Sequence, residues 1–186
     1  MSSPLLPDAA KSQLLVIDLQ QSMVSAMGRT AQEVLSLYPP RVMKAAGLLS
    51  IPAVVTEQYP KGLGPTLPEY LALLPGAPVL AKLSFSALAN EAIARAIEGN
   101  GRPQVVVMGI ETHVCVYQSA LDLLDLGYQV FVCRECVASR STKNWAAGLD
   151  LMQQAGATLT SVESLLFAWM RGSDHPRFKA IQALIK

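Results

Sequence analysis

The chain has 186 residues, 51% of them hydrophobic and 16% charged, with a formal net charge of +1 and three cysteines. That composition excludes a disordered chain and supplies one domain with a sizeable core. It also excludes a strong field for nucleic acid or an anionic membrane, because the basic residues form no run. An odd, low cysteine count argues against a secreted disulfide framework.

At the N-terminus, MSSPLLPDAAKSQ carries two prolines and Asp8 where a signal peptide needs an apolar run, and it lacks the arginines of a transit peptide. No later stretch offers about 18 uninterrupted apolar residues, so no membrane span is expected and the cytoplasm is the expected location. LLVID (14–18) is a short β-branched run of strand length. RVMKAAGLLS follows Pro39 and Pro40 with helical spacing, and Pro40 suits the first helical turn. PAVVTE (52–57) predicts a second strand, followed by a long Pro- and Gly-rich loop, EQYPKGLGPTLPEY. PVLAK (78–82) predicts a third strand, and ALANEAIARAIEGNG (87–101) a helix closed by Gly99 and Gly101. QVVVMG (104–109) is the clearest strand, and VYQSALDLLDLG (116–127) is a helix ending at Gly127. YQVFVC (128–133), TKNWAAGLDLMQQAG (142–156), ATLTS (157–161) and VESLLFAWM continue the strand–helix alternation, and RFKAIQALIK adds a last helical segment.

Alternation of helices with continuously apolar strands implies a parallel sheet covered on both faces. The expected fold is one α/β domain over residues 1–186: a three-layer α/β/α, Rossmann-like, doubly wound sheet. Its six mostly parallel strands take the order 3-2-1-4-5-6. The core covers about residues 12–171, with a C-terminal helical segment over 172–186.

In such a sheet, ligands bind beyond the carboxyl ends of the strands, where the strand order reverses. Asp18 closes strand one, Lys82 closes strand three, and Cys115 lies just past strand four. Strands one and four are neighbours in this order, so Asp18 and Cys115 flank the reversal and the long Lys82 side chain can lean inward. A helix start or a nearby cation lowers a thiol from its ordinary pKa of about 8.5, so Cys115 is expected to be an activated nucleophile. Asp18 would move its proton and Lys82 would steady negative charge. Backbone N–H groups at the same turn would hold an oxyanion. Each residue also has a plainer reading: Asp18 as a turn cap, Lys82 as a solvated cation, Cys115 as core filling. Their conjunction at one sheet edge favours chemistry.

LLVIDLQ, VVTEQYPKGLG, AKLSFS and VVVMGIETHVCV, in this order and spacing, resemble the isochorismatase-like cysteine hydrolases, closest to the isochorismatase domain-containing proteins. CVASRS and VESLLFAWM fit the same pattern, so the resemblance runs from about residue 12 to the C-terminus. It implies a catalytic Asp18, Lys82 and Cys115, and an oxyanion hole built from the backbone N–H groups of Glu111 and Cys115. It also implies a cis peptide between Ile110 and Glu111. Thr112 and His113 would support the turn through hydrogen bonds, and Gln20 would contact substrate or order its loop. Nicotinamidases of this superfamily bind a metal through an Asp-x-His motif and a further His after strand two. The loop TEQYPKGLG holds no histidine, and His113 and His175 are the only two in the chain, so no metal and no cofactor are expected. True isochorismatases lack the cysteine, so Cys115 implies thiol chemistry on a small amide, ester or related bond.

Other motifs are weaker. Cys133 and Cys136 form a lone CREC at a strand end and the following loop, without the second pair of a zinc site. His113 is too near Cys115 in sequence to assume a Cys–His pair. Trp145 and Trp169 have core or interface spacing, and Gly62 and Gly64 lack a phosphate fingerprint. A nucleotide-binding Rossmann domain needs a Gly-rich first turn, which LQQSMVSAMG does not give. The leading expectation is a hydrolase with a small-molecule substrate that works as a homo-oligomer, a dimer or larger. The alternative is an oligomeric ligand-binding or scaffold protein that keeps the site with little turnover.

Overall fold

In a computed structural model that describes residues 5–186, one sheet holds six strands in the order β3-β2-β1-β4-β5-β6. They are β1 (Ser12–Ile17), β2 (Ala53–Gln58), β3 (Val79–Lys82), β4 (Gln104–Ile110), β5 (Gln129–Ala138) and β6 (Thr158–Thr160), and every neighbouring pair is parallel. The helices are α1 (Gln21–Ser25), α2 (Arg29–Leu48), α3 (Pro60–Leu63), α4 (Pro68–Leu71), α5 (Glu91–Gly99), α6 (Tyr117–Asp125), α7 (Thr142–Gln154), α8 (Val162–Met170) and α9 (Phe178–Gln182). The order and the doubly wound arrangement are those expected from the sequence.

Strand period places alternate side chains on opposite faces. Leu14, Val16, Val106 and Met108 pack with Leu35, Val42 and Met43 of α2 and with Leu165 and Trp169 of α8. Leu15, Ile17, Val105 and Val107 pack with Ile93 and Ile97 of α5, Leu123 of α6, and Leu149 and Met152 of α7. All six residues of β1 are buried, which explains the unbroken apolar run from Leu14 to Ile17.

Three element boundaries differ from expectation, each for a local reason. The helix expected to begin at Pro40 starts at Arg29 and runs through both prolines. Pro39 cannot donate to the Leu35 carbonyl four residues back. The Tyr70 hydroxyl takes over that role, donating to Leu35 O at 3.1 Å. Burial, and secondarily Glu69, push the Tyr70 phenol up to about 12. The helix expected over 87–101 begins at Glu91, because the Asn90 side chain accepts from the Ala92 and Ile93 amides and caps it there. Strand five does not stop at Cys133. β5 runs on to Ala138 with a bulge, for Val107 pairs with Val132 while Gly109 pairs with Val137. Cys136, expected in a loop, therefore lies within the strand. It and Cys133 are fully buried free thiols in the core on the α2 and α8 side.

Two glycines let elements approach closely. Gly109 has φ 126°, and a Cβ there would stand 1.9 Å from the Ile17 carbonyl oxygen. On α7, a Cβ on Gly148 would lie 2.9 Å from the Thr112 oxygen and from the His113 nitrogen. These contacts seat the end of β4 and the turn after it.

Candidate active site

β1 ends at Ile17, and Asp18 turns the chain with φ 55°, a left-handed conformation that costs a non-glycine residue about 1–2 kcal/mol. The surroundings enforce it. The Asp18 amide donates to Thr56 O at 3.1 Å, and the Asp18 carbonyl accepts from the Gln20 amide at 2.8 Å. The fully buried carboxylate accepts from Thr56 Oγ1 and from Lys82 Nζ, each at 2.7 Å. Both side chains of the Asp18–Lys82 ion pair are fully enclosed. Desolvating two charges is costly, so such a pair persists only when the remaining donors and acceptors are met. Here they are: Lys82 Nζ also donates to Gln58 Oε1 at 2.7 Å, Phe85 O at 3.1 Å and Ser84 O at 3.3 Å.

Gln20 is fully buried and serves as a brace. Its Nε2 donates to the carbonyls of Gln58 and Gly64, and its Oε1 accepts from the Gln58 amide. This ties the end of β1 to the end of β2 and to the long loop beyond it. Of the two roles considered for Gln20, loop ordering is the one the geometry displays.

Cys115 reaches the same place from β4. It sits in a wide π turn, Thr112–Val116, and the α-helix that was expected to start near it begins at Tyr117. Asp18 and Lys82 both bear on the buried thiol, Asp18 raising it and Lys82 lowering it. The expected lowering of this thiol is reversed. Burial, then the Asp18 carboxylate, push it up to about 12, and Lys82 offsets only part of that. The resting group is therefore a protonated thiol facing a carboxylate, which suits proton transfer during attack rather than a standing thiolate.

The Ile110–Glu111 peptide is cis. The Glu111 carboxylate accepts from the Arg140 amide at 3.0 Å and from Nε at 3.1 and 3.2 Å, and Nη2 lies 3.0 Å from Oε1. Burial alone would raise this carboxyl. The Arg140 hydrogen bonds and charge, helped by His113, hold it below its ordinary value instead. His113 braces the turn: Nδ1 lies 3.0 Å from Ser139 Oγ, and Asn144 Nδ2 lies 3.2 Å from Nε2. The Thr112 hydroxyl makes no such contribution: it is buried, with no hydrogen-bond partner among the described residues.

Sequence reasoning missed Thr56, Gln58, Ser119 and Arg140. Thr56 and Gln58 left a faint signal, two polar residues with strand period at the end of β2. Ser119 sits inside an amphipathic helix, and Arg140 in a polar turn, where nothing local marks them. A cleft of about 550 Å³ opens beside Lys82, walled by Tyr59, Lys61, Leu83, Ser84 and Asn90. The more apolar cavity, about 500 Å³ between α2, β5 and α7, has none of Asp18, Lys82 or Cys115 on its wall. Among the described residues, no three His, Cys, Asp or Glu side chains gather as metal ligands, and no helix is long and apolar enough to cross a membrane.

Comparisons with known proteins agree on the family and the fold. The isochorismatase domain model matches residues 12–164. Mouse isochorismatase domain-containing protein 2A is 39% identical over 183 residues, covering 98% of this chain and 85% of the mouse protein. Some relatives are longer: the match to salmon isochorismatase domain-containing protein 1, 42% identical over 146 residues, covers 78% of this chain and 51% of that protein. The MAR1 ribonuclease structure from Caenorhabditis elegans is 38% identical, with a TM-score of 0.90 over 97% of this chain and 92% of that one. The YcaC gene product of Escherichia coli, described as an octameric hydrolase of unknown specificity, shares the fold with a TM-score of 0.93 at 24% identity, over 100% of this chain and 91% of that one. On the domain match and on relatives near 40% identity, the chain belongs to the isochorismatase domain family.

Proposed function

We propose that this chain is a cysteine hydrolase that cleaves a small amide, ester or related C–N or C–O bond through a covalent intermediate. The observation that carries the reading is the meeting of Cys115 with a fully buried Asp18–Lys82 pair, three residues delivered from three strand ends. As Cys115 Sγ attacks the carbonyl carbon, Asp18 takes the thiol proton, so no thiolate has to exist beforehand. The oxyanion is held by the backbone N–H groups of Glu111 and Cys115. The protonated Asp18 gives its proton to the leaving amine or alkoxide as the C–N or C–O bond breaks. Asp18, again a carboxylate, then takes a proton from water as water attacks the thioester and returns it to the Cys115 sulfur as the C–S bond breaks, so that the acid product leaves with thiol and carboxylate both restored. Lys82 keeps Asp18 in position and balances its charge throughout. Assembly into a homo-oligomer and a cytoplasmic location belong to the same proposal; the octameric description of YcaC supports the first.

The test uses 4-nitrophenyl acetate as an activated ester, with nitrophenolate release followed in time and the acyl-enzyme located by peptide mass spectrometry. The expected result is a burst of about one equivalent with acetate on Cys115, abolished in Cys115→Ser and strongly slowed in Asp18→Asn. Acetylation spread evenly over Cys115, Cys133 and Cys136, or a burst unchanged in Cys115→Ser, overturns the reading. The scaffold alternative then takes its place.

A further inference from the structure

The loop that follows Lys82 is fastened to the helix that follows Cys115. Ser119 on α6 is fully buried. Its Oγ donates to the Cys115 carbonyl at 2.6 Å and accepts from the Ala87 amide at 2.9 Å. Further along α6, Asp122 accepts from Ser86 Oγ, and the Leu88 amide donates to that same hydroxyl at 3.2 Å. Within this loop, the carbonyls of Ser84 and Phe85 accept from Lys82 Nζ. One helix therefore holds both the turn bearing the thiol and the loop that cradles the ammonium.

Packing does not explain the pair. Val116, Ala120 and Leu123 already bury this face of the chain in the core. A serine inside a helix is a weaker helix former than alanine, and its side chain competes for the backbone. Here the hydroxyl bonds back to the Cys115 carbonyl four residues earlier and at the same time accepts from the Ala87 amide of another segment.

We propose that Ser119 and Asp122 are positioning residues that fix the Lys82 ammonium relative to the Cys115 thiol. This rests on the reading of Cys115 as the nucleophile. Neither residue takes part in bond making. Each acts through the loop it holds, and its loss lets the ammonium drift from the thiol. Because Lys82 is the group that opposes the burial and the Asp18 charge acting on the thiol, drift makes Cys115 less reactive at a given pH.

The test is the rate of Cys115 alkylation by iodoacetamide from pH 6 to 10, read by mass spectrometry. It is run on the full chain and on Lys82→Ala, Ser119→Ala, Asp122→Ala and Asp122→Asn, with thermal unfolding as the fold control. Ser119→Ala and Asp122→Ala are expected to slow alkylation about tenfold at each pH, as loss of a buried hydrogen bond permits. Both displace the profile toward higher pH, in the direction of Lys82→Ala but less far. Asp122→Asn still accepts from Ser86 and returns the wild-type profile. If Lys82→Ala shifts the profile but Ser119→Ala and Asp122→Ala lower only the melting temperature, the positioning role is overturned and the nucleophile stands. If Lys82→Ala itself leaves the profile unmoved, the triad reading fails and takes this inference with it. Asp122→Ala, at a half-buried site, keeps the test open should Ser119→Ala fail to fold.

Discussion

On the β1–β2–β3 side of the sheet's carboxyl edge, position is set by side chains. Asp18, Thr56, Gln58 and Lys82 form a closed network of short hydrogen bonds, with Gln20 binding its outer loop. On the β4–β5 side, position is set by backbone. Gly109 lies against Ile17, Gly148 lies against the π turn, and the side-chain pairs there are wetter, with Arg140 two-thirds exposed. The first side delivers charged groups, which must be enclosed and matched. The second delivers a thiol and peptide amides, whose aim depends on how closely two stretches of main chain can meet. The two halves should therefore fail under different substitutions.

The largest effect belongs to the backbone half. Gly109→Ala drives a methyl group into the Ile17 carbonyl at a φ that side chains rarely adopt. Neither Ile17, inside a fully buried strand, nor the paired end of β4 can yield. We expect a loss of about 4 kcal/mol or more, the range reserved for such clashes, measured by urea unfolding. A loss under about 1 kcal/mol would mean that this junction is softer than its contacts indicate.

The side-chain half comes next and has its own signature. Lys82→Ala strands the buried Asp18 carboxylate, at a cost of about 3–5 kcal/mol. Replacing both partners, as in Asp18→Asn with Lys82→Met, removes the stranded charge. The double variant should recover much of the stability while losing all Cys115 chemistry. A double variant as unstable as Lys82→Ala would show that the network holds the fold through more than charge matching. No such compensation is available to Gly109→Ala.

The same contrast governs what the sequence reveals. Strand order and the edge bearing Asp18, Lys82 and Cys115 were legible because apolar runs and their closing residues are local marks, reinforced by the family pattern in GIETHVCV. Thr56 and Gln58 were not, because a bond between two strand ends exists only once the strands are neighbours. The direction of the thiol shift was misread for a related reason: a helix start and a lysine can be seen in a sequence, but burial of Cys115 beside Asp18 cannot. Pro39 and Pro40 marked a helix start until Tyr70, far along the chain, supplied the donor that Pro39 lacks.

The smallest effect lies in the exposed ion pair of the backbone half, and it is visible only through pH. Arg140 holds the Glu111 carboxyl below its ordinary value despite burial of that carboxyl. A group with a depressed folded value contributes stability above its unfolded value, and the contribution is lost as pH falls through the folded one. Because the guanidinium is in water, salt screens the pair and the contribution is modest. The urea midpoint of the wild-type chain should therefore fall more steeply than that of Glu111→Gln as pH drops from the ordinary glutamate range downward. The gap should narrow in high salt. Arg140→Ala should give a slope no steeper than that of Glu111→Gln, because burial, the largest influence on the Glu111 carboxyl, then raises it and the weaker help of His113 offsets only part. Parallel slopes for all three proteins would remove Arg140 from the forces that seat Glu111, leaving the glycine contacts and the His113 and Ser119 hydrogen bonds to hold that half of the edge.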